Sequence, residues 1–205
     1  MAGHGDFLWQ FLTNRDSVGA VAPSSNGLGR AITAPARAVA APRRWLEVGP
    51  GTGVFTRQLI AAMEEDDHLD VVELNDAFCA VLERDVLPAA GDQAVLHAGS
   101  ILDVPLPGAY DAVVCGLPFN AFPTHVSRAM VRRLIGMLKP GGTMSYFEYA
   151  GIRRVRSVIG SATLKRAMFR HEAFVNSLKR DMKGRRDLVM MNMPPAWAVH
   201  LTKEQ

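Results

Sequence analysis

Residues 44–54 constrain the fold more than any other stretch of the chain. Trp45-Leu46-Glu47-Val48 is a short apolar run, and Gly49-Pro50-Gly51-Thr52-Gly53 breaks it at once. Val54, Phe55, Leu59 and Ile60 then follow at helical spacing. This order predicts a buried strand, a tight turn and a helix. Gly49, Gly51 and Gly53 supply backbone that reaches positive φ and that a ligand can approach closely, and Thr52 is placed to cap the helix. The next apolar run, Leu69-Asp70-Val71-Val72-Glu73, ends in a carboxylate 20 residues after Gly53. At that spacing an acidic side chain reaches ribose hydroxyls in a nucleotide-binding βαβ unit. A nicotinamide-binding unit and a purely structural turn share parts of the pattern, and the helix carries no phosphate-binding lysine.

From Arg44 onward strand and helix signals alternate, which predicts an α/β domain with a parallel sheet and helices on both faces. Strands are expected near 44–48, 69–74, 94–98, 110–116 and 142–149, with helices near 53–65, 76–88 and 124–138. Lys139-Pro140-Gly141-Gly142 is a stop and turn before the fifth strand. One long basic helix, or two, should run from 151 to about Asp181. Two last strands near 187–193 and 196–202 flank Pro194-Pro195. Ahead of this core, Asp6 to Asn14 reads as a short helix with Phe7, Leu8, Phe11 and Leu12 on one face and Trp9 at its flank. It either packs on the domain or lies in a membrane interface. Pro23-Ser24-Ser25 opens a further helix through Leu28 and Ile32, interrupted or ended at Pro35. Its two serines either cap that helix or offer an anion site. Residues 1–205 thus read as one domain, with 1–43 a helical covering segment and 44–205 the core.

Composition excludes several classes. No apolar run approaches the roughly 18 residues that a membrane span needs, and the start of the sequence has no secretory signal pattern. Cys79 and Cys115 fall in a predicted helix and a predicted strand. They read as buried thiols in a reducing compartment. No Cys/His cluster has metal-ligand spacing, so no metal is expected. The net charge of +3 hides an asymmetry: residues 151–186 hold 11 of the 23 Lys and Arg but 2 of the 20 Asp and Glu, leaving −6 on the remainder. A basic patch on a mildly acidic body implies an anionic partner, either nucleic acid or an anionic membrane surface. A solvated face on a capping helix is the plain alternative.

Glu47-x-Gly49-x-Gly51-x-Gly53 resembles the first motif of the class I S-adenosylmethionine (SAM) methyltransferases, and Glu73 resembles their acidic residue at the end of the second strand. The resemblance implies a Rossmann-like three-layer α/β sandwich. Its sheet would be seven-stranded and mostly parallel with an antiparallel C-terminal strand, joined by N-terminal helices. It also implies SAM as cofactor, held by Glu47, Gly49, Gly51, Thr52, Gly53, Glu73, Leu74, Ser100, Ile101, Gly116 and Leu117. Ser100 stands where that family usually presents an acidic residue to the adenine amino group, with Asp103 nearby and Ile101 placed to pack on the ring. Cys115-Gly116-Leu117-Pro118-Phe119-Asn120 ends the fourth strand, where open α/β sheets bind ligands. It resembles the Asn/Asp-Pro-Pro-Tyr and Asn-Leu-Pro-Tyr motifs of amino-group methyltransferases, rRNA adenine dimethylases among them. Their first side chain holds a nucleobase amine; Gly116 has none, which suggests backbone carbonyls facing a more flexible amine.

Val18 to Ser25, Glu47 to Val54, Gly116-Leu117-Pro118 and Phe147-Glu148-Tyr149 together resemble the bacterial phospholipid N-methyltransferases of the PmtA type, over roughly residues 7–202. That resemblance implies stepwise methylation of phosphatidylethanolamine (PE) towards phosphatidylcholine by a cytoplasmic protein bound peripherally to the membrane. Its partners would be the phospholipid and an anionic surface, without an obligate protein partner. Tyr146, Glu148 and Tyr149 are the expected catalytic residues at the end of the fifth strand. Ser24, Ser25, Pro118, Phe119, Asn120 and Arg153 are expected to contact substrate. An RNA or DNA adenine methyltransferase would also explain the basic patch, but Gly116 and the lack of a separate recognition domain make nucleic acid the weaker choice. An ornithine lipid is an alternative acceptor, and a silent SAM-binding or membrane-binding protein is the alternative outside enzymes.

Overall fold

A computed structural model describes residues 24–119, 122–150 and 182–204. The expected helix at 6–14, Asn120, Arg153 and the basic helices of 151–181 lie outside the described residues. Seven strands form one sheet: β1 (Arg44–Val48), β2 (His68–Glu73), β3 (Ala94–Ala98), β4 (Tyr110–Cys115), β5 (Leu138–Tyr149), β6 (Lys183–Val189) and β7 (Ala196–Thr202). Their order is β3-β2-β1-β4-β5-β7-β6. β1 to β5 pair in parallel, and β7 runs antiparallel to both β5 and β6. The order reverses between β1 and β4, so the crevice for a ligand opens beyond the carboxyl ends of those two strands.

Two apolar layers flank the sheet. On one face α1 (Asn26–Arg37), α2 (Val54–Ile60) and α3 (Asp76–Asp85) bring Leu28, Ile32, Phe55, Leu59 and Leu82 onto Trp45, Val71, Val114 and Phe147. On the other, α4 (Thr124–Met137) packs Val126, Met130 and Leu134 onto Leu46, Val113, Met144 and Tyr146. Trp45, Leu46, Met130 and Leu134 are fully buried, and burial of each such side chain stabilises the fold by about 1.5–3 kcal/mol. The strand period of two divides the side chains of β5 between these layers. Tyr146 faces the α4 layer, and Phe147 and Tyr149 join the α1–α2 layer.

Several boundaries differ from expectation for local reasons. Thr52 does not cap α2: Gly53 occupies the cap position in the left-handed region and makes no side-chain bond. The helix therefore starts at Val54 and ends at Ile60. α3 stops at Asp85, and an irregular 3-10 stretch, Leu87–Gln93, follows because Pro88 cannot continue the α-helical ladder. Lys139-Pro140-Gly141-Gly142 is absorbed into β5 as an irregularity. Leu138 pairs with Tyr110 and Thr143 with Ala112, so the chain bulges between them. A Cβ on Gly142 would sit 2.9 Å from the Lys139 carbonyl oxygen. β6 begins at Lys183, earlier than its apolar residues suggest, because an edge strand tolerates exposed charge. α1 continues through Pro35 to Arg37, with the proline confined to its last turn.

Candidate active site

The glycine turn is the centre of the carboxyl-end crevice. Gly49, Gly51 and Gly53 have φ of 68°, 58° and 83°. Gly49 N–H donates to the Val72 carbonyl at 2.9 Å, fastening the turn to β2. Gly53 N–H donates to the Pro50 carbonyl at 3.0 Å, and the Arg57 guanidinium of α2 donates to the Thr52 carbonyl at 2.7 Å. A Cβ on Gly53 would press on Val86 at 3.0 Å, whereas one on Gly51 would meet nothing within 4 Å. Gly53 is thus glycine for packing, and Gly51 faces open space.

Glu73 ends β2 beside this turn. Its Oε2 accepts from Gly51 N–H at 3.1 Å, and its Oε1 accepts from the N–H groups of Leu74 and Asn75, both at 2.9 Å. Gly99 N–H donates to the Glu73 carbonyl at 2.7 Å, which brings the end of β3 alongside. Ser100 is buried there, its hydroxyl accepting from Leu102 N–H at 3.1 Å, and Ile101 is buried in the α4-side layer. Arg133 of α4 donates to the Leu102 and Val104 carbonyls. It anchors this loop, and nothing in the sequence pattern singles it out.

Glu47 has no exposure, and neither carboxylate oxygen has a hydrogen-bond partner among the described residues. Burial pushes its carboxyl up to about 8, the neighbouring Thr56 hydroxyl and N–H pulling the other way without reaching hydrogen-bond geometry and Glu73 adding to the rise. Burial also raises the Cys79 thiol to about 11 and the Cys115 thiol to about 12. Both are free, buried and unsuited to thiolate chemistry.

The end of β4 meets the turn directly. Gly116 N–H donates to the Val48 carbonyl at 2.8 Å, and a Cβ on Gly116 would lie 2.3 Å from the Gly49 carbonyl oxygen. A Cβ on Gly49 would in turn lie 2.4 Å from Leu117 Cδ2. Position 116 therefore has no room for the Asn or Asp side chain of the related motifs. Beyond it, buried Phe119 packs edge-on against buried Tyr146, with ring centroids 5.3 Å apart. Tyr146 Oη donates to Glu148 Oε1 at 3.3 Å. Tyr149 is on the other face of β5, 5.2 Å from the Phe147 ring. Phe119, Tyr146 and Glu148 therefore come together, and Tyr149 stands apart from them.

Ser25 caps α1: its hydroxyl accepts from Leu28 N–H at 3.1 Å, and its own N–H donates to Asn192 Oδ1 at 2.9 Å. Its hydroxyl thus serves the capping role foreseen for one of the two serines, with Ser24 immediately before it. Asn192 drew no attention in the sequence, because a lone asparagine in a turn carries no pattern.

Residues 46–142 match a family model described as a methyltransferase domain. The chain has the class I methyltransferase fold. The N-methyltransferase NodS from Bradyrhizobium japonicum is similar over 96% of this chain and 98% of its own, at 17% identity and TM-score 0.61. The O-methyltransferase TomG from Streptomyces achromogenes, involved in tomaymycin synthesis and solved with SAM, covers 98% and 100% at 18% identity and TM-score 0.60. An O-methyltransferase from Bacillus cereus, solved with S-adenosylhomocysteine, covers 99% and 93% at 11% identity and TM-score 0.67. No curated protein matches the sequence. Nitrogen and oxygen acceptors both occur on this methyltransferase fold, so the acceptor has to be argued from the site.

Proposed function

We propose that this methyltransferase transfers methyl groups to the amine of PE, stepwise towards phosphatidylcholine, at an anionic membrane surface on the cytoplasmic side. SAM is the cofactor; when bound it supplies an electrophilic methyl on a sulfonium that is already a good leaving group. The residues present suit it. Gly51 leaves space where a ligand needs it, Glu73 offers a carboxylate to ribose hydroxyls, and Ser100 and Ile101 border the adenine side. Glu47 keeps two buried oxygens without a hydrogen-bond partner among the described residues. Leu74, Gly116 and Leu117 complete the walls, and Thr52 is exposed at the rim.

The grouping of Phe119, just after β4, with Tyr146 and Glu148 near the end of β5 carries the choice of an amine. Aromatic faces and a carboxylate favour a cationic amine and its methylated successors. A PE amine has a pKa of about 10, so roughly one in a thousand is neutral at pH 7. Burial among apolar rings lowers that pKa and raises the nucleophilic fraction. The chain's work is then to align the acceptor and exclude water, which needs no nucleophile of its own. Lys183, Arg185 and Arg186, exposed on β6, add attraction to an anionic bilayer of about 1 kcal/mol for each cation near it. No helix among the described residues is long and apolar enough to cross a membrane.

The test uses methyl-labelled SAM with three acceptors in separate reactions: vesicles containing PE, vesicles containing an ornithine lipid, and ribosomal RNA. Label in PE is the expected result. Label only in the ornithine lipid would move the headgroup, and label only in RNA would overturn the proposal.

A further inference from the structure

The connection from β6 to β7 is Met190-Met191-Asn192-Met193-Pro194-Pro195. Met190, Met191 and Met193 are 67%, 87% and 85% exposed, and Leu188 before them 44%. Among the described residues Val95 is the other large exposed hydrophobic, on the opposite edge strand β3. Concentration of apolar side chains at one tip marks a contact surface.

The tip is held in place. Asn192, buried between the methionines, accepts from Ser25 N–H at 2.9 Å and donates from Nδ2 to the Pro194 carbonyl at 2.8 Å. Ala150 N–H donates to the Pro195 carbonyl at 2.7 Å. The loop is therefore fastened to the residue that follows Glu148 and Tyr149, at the acceptor end of the sheet. Lys183, Arg185 and Arg186 are exposed along β6, and the one carboxylate between 183 and 195, Asp187, is paired with Arg185 at 2.9 Å. Unbranched, flexible methionines match a disordered apolar layer, and Arg186, four residues before Met190 and exposed, suits the anionic headgroups above it. We infer that the β6–β7 tip enters the headgroup–acyl boundary of an anionic bilayer and seats the acceptor end of the sheet against it. This rests on the lipid substrate proposed above.

Position 191 can report on this directly. A Met191→Cys variant takes an environment-sensitive fluorophore there, because both native cysteines are buried. With vesicles of phosphatidylglycerol and PE the emission should shift to the blue and be quenched by brominated acyl chains. A Met190→Ser/Met191→Ser/Met193→Ser variant should bind these vesicles at least about ten-fold more weakly, each methionine's burial being worth that much or more. Its SAM affinity, by calorimetry, should equal the parent's. Unmoved emission, or a blue shift that follows protein concentration without lipid, overturns the inference; the latter would mean self-association. A tip that inserts while no lipid is methylated leaves the inference standing and removes PE as substrate. Methylated PE with the label still in water does the reverse.

Discussion

At the amino end of the sheet buried carboxylates take hydrogen bonds from side chains, and at the carboxyl end, among the described residues, they do not. Asp67 accepts from the backbone and guanidinium of buried Arg43 and from Glu64 N–H, while Arg43 also donates to the Ala62 carbonyl and lies over the Trp45 ring. Burial resists ionisation of Asp67, but these hydrogen bonds hold its carboxyl below the usual range. Asp70 likewise takes His97 Nε2 at 2.7 Å and Tyr110 Oη at 2.8 Å. At the other end, among the described residues, neither oxygen of the Glu47 carboxylate has a hydrogen-bond partner, and the Glu73 carboxylate has backbone N–H groups alone. A carboxylate whose partners are side chains of the same fold is structural. One left with an orphan oxygen, or with donors on a glycine turn, is where an outside ligand completes the bonding.

The largest way to sharpen this contrast is Asp67→Ala. It strands the buried Arg43 guanidinium and should cost about 3–5 kcal/mol of stability in urea titrations. An effect below 1 kcal/mol would mean that the exposed Glu64 carboxylate suffices for Arg43.

Glu47→Gln should act oppositely. The native carboxyl titrates near 8 against an ordinary value of 4.5. The folded state therefore binds more protons across that window, and the parent loses stability as pH rises through it. The glutamine variant escapes this loss, so its advantage should grow from pH 4.5 to about 8 and then level off. Urea midpoints across that range give the answer; a pH-independent difference would show Glu47 to be ionised with a partner.

Gly116→Ala and Gly51→Ala separate packing from ligand space. The first forces a Cβ onto the Gly49 carbonyl oxygen and should cost about 1–3 kcal/mol together with SAM affinity. The second meets nothing within 4 Å, so it should cost stability only through its positive φ, about 1–2 kcal/mol, while its methyl group enters the space the cofactor needs and weakens SAM binding. Equal losses in thermal melts and calorimetry would erase the distinction. Glu73→Ala should weaken SAM binding by about 1–3 kcal/mol and leave the melting temperature closer to the parent's than Asp67→Ala does. Unchanged affinity would put the ribose elsewhere.

Much of this was legible in the sequence where burial dictates residue type. The strands at 44–48, 94–98 and 196–202 end where their apolar runs end. The carboxyl-end cluster of Glu73, Ser100 and Gly116 follows from strand ends alone. Legibility failed where backbone conformation decides. Nothing local says that Gly53 rather than Thr52 fills the cap, or that Pro140-Gly141 bulges a strand instead of ending it. It also failed at the edge, where Lys183 to Arg186 belong to a basic stretch ahead of the strand expected at 187–193 yet pair along β7. Contacts across distant segments, such as Asn192 with Ser25 and Arg133 with the loop after β3, leave no periodic trace.

The Gly116–Gly49 contact also limits how this chain can change. The end of β4 and the floor of the glycine turn are one layer of backbone, with 2.3 Å between an imagined side chain and the neighbouring oxygen. Selection for a new acceptor cannot work through position 116 without disturbing the methyl donor's seat. Diversification would be channelled to Phe119 and Tyr146, where the side chain and not the backbone meets its neighbours. Lineages descending from such a chain should keep the glycine pair together and vary the residues just beyond it.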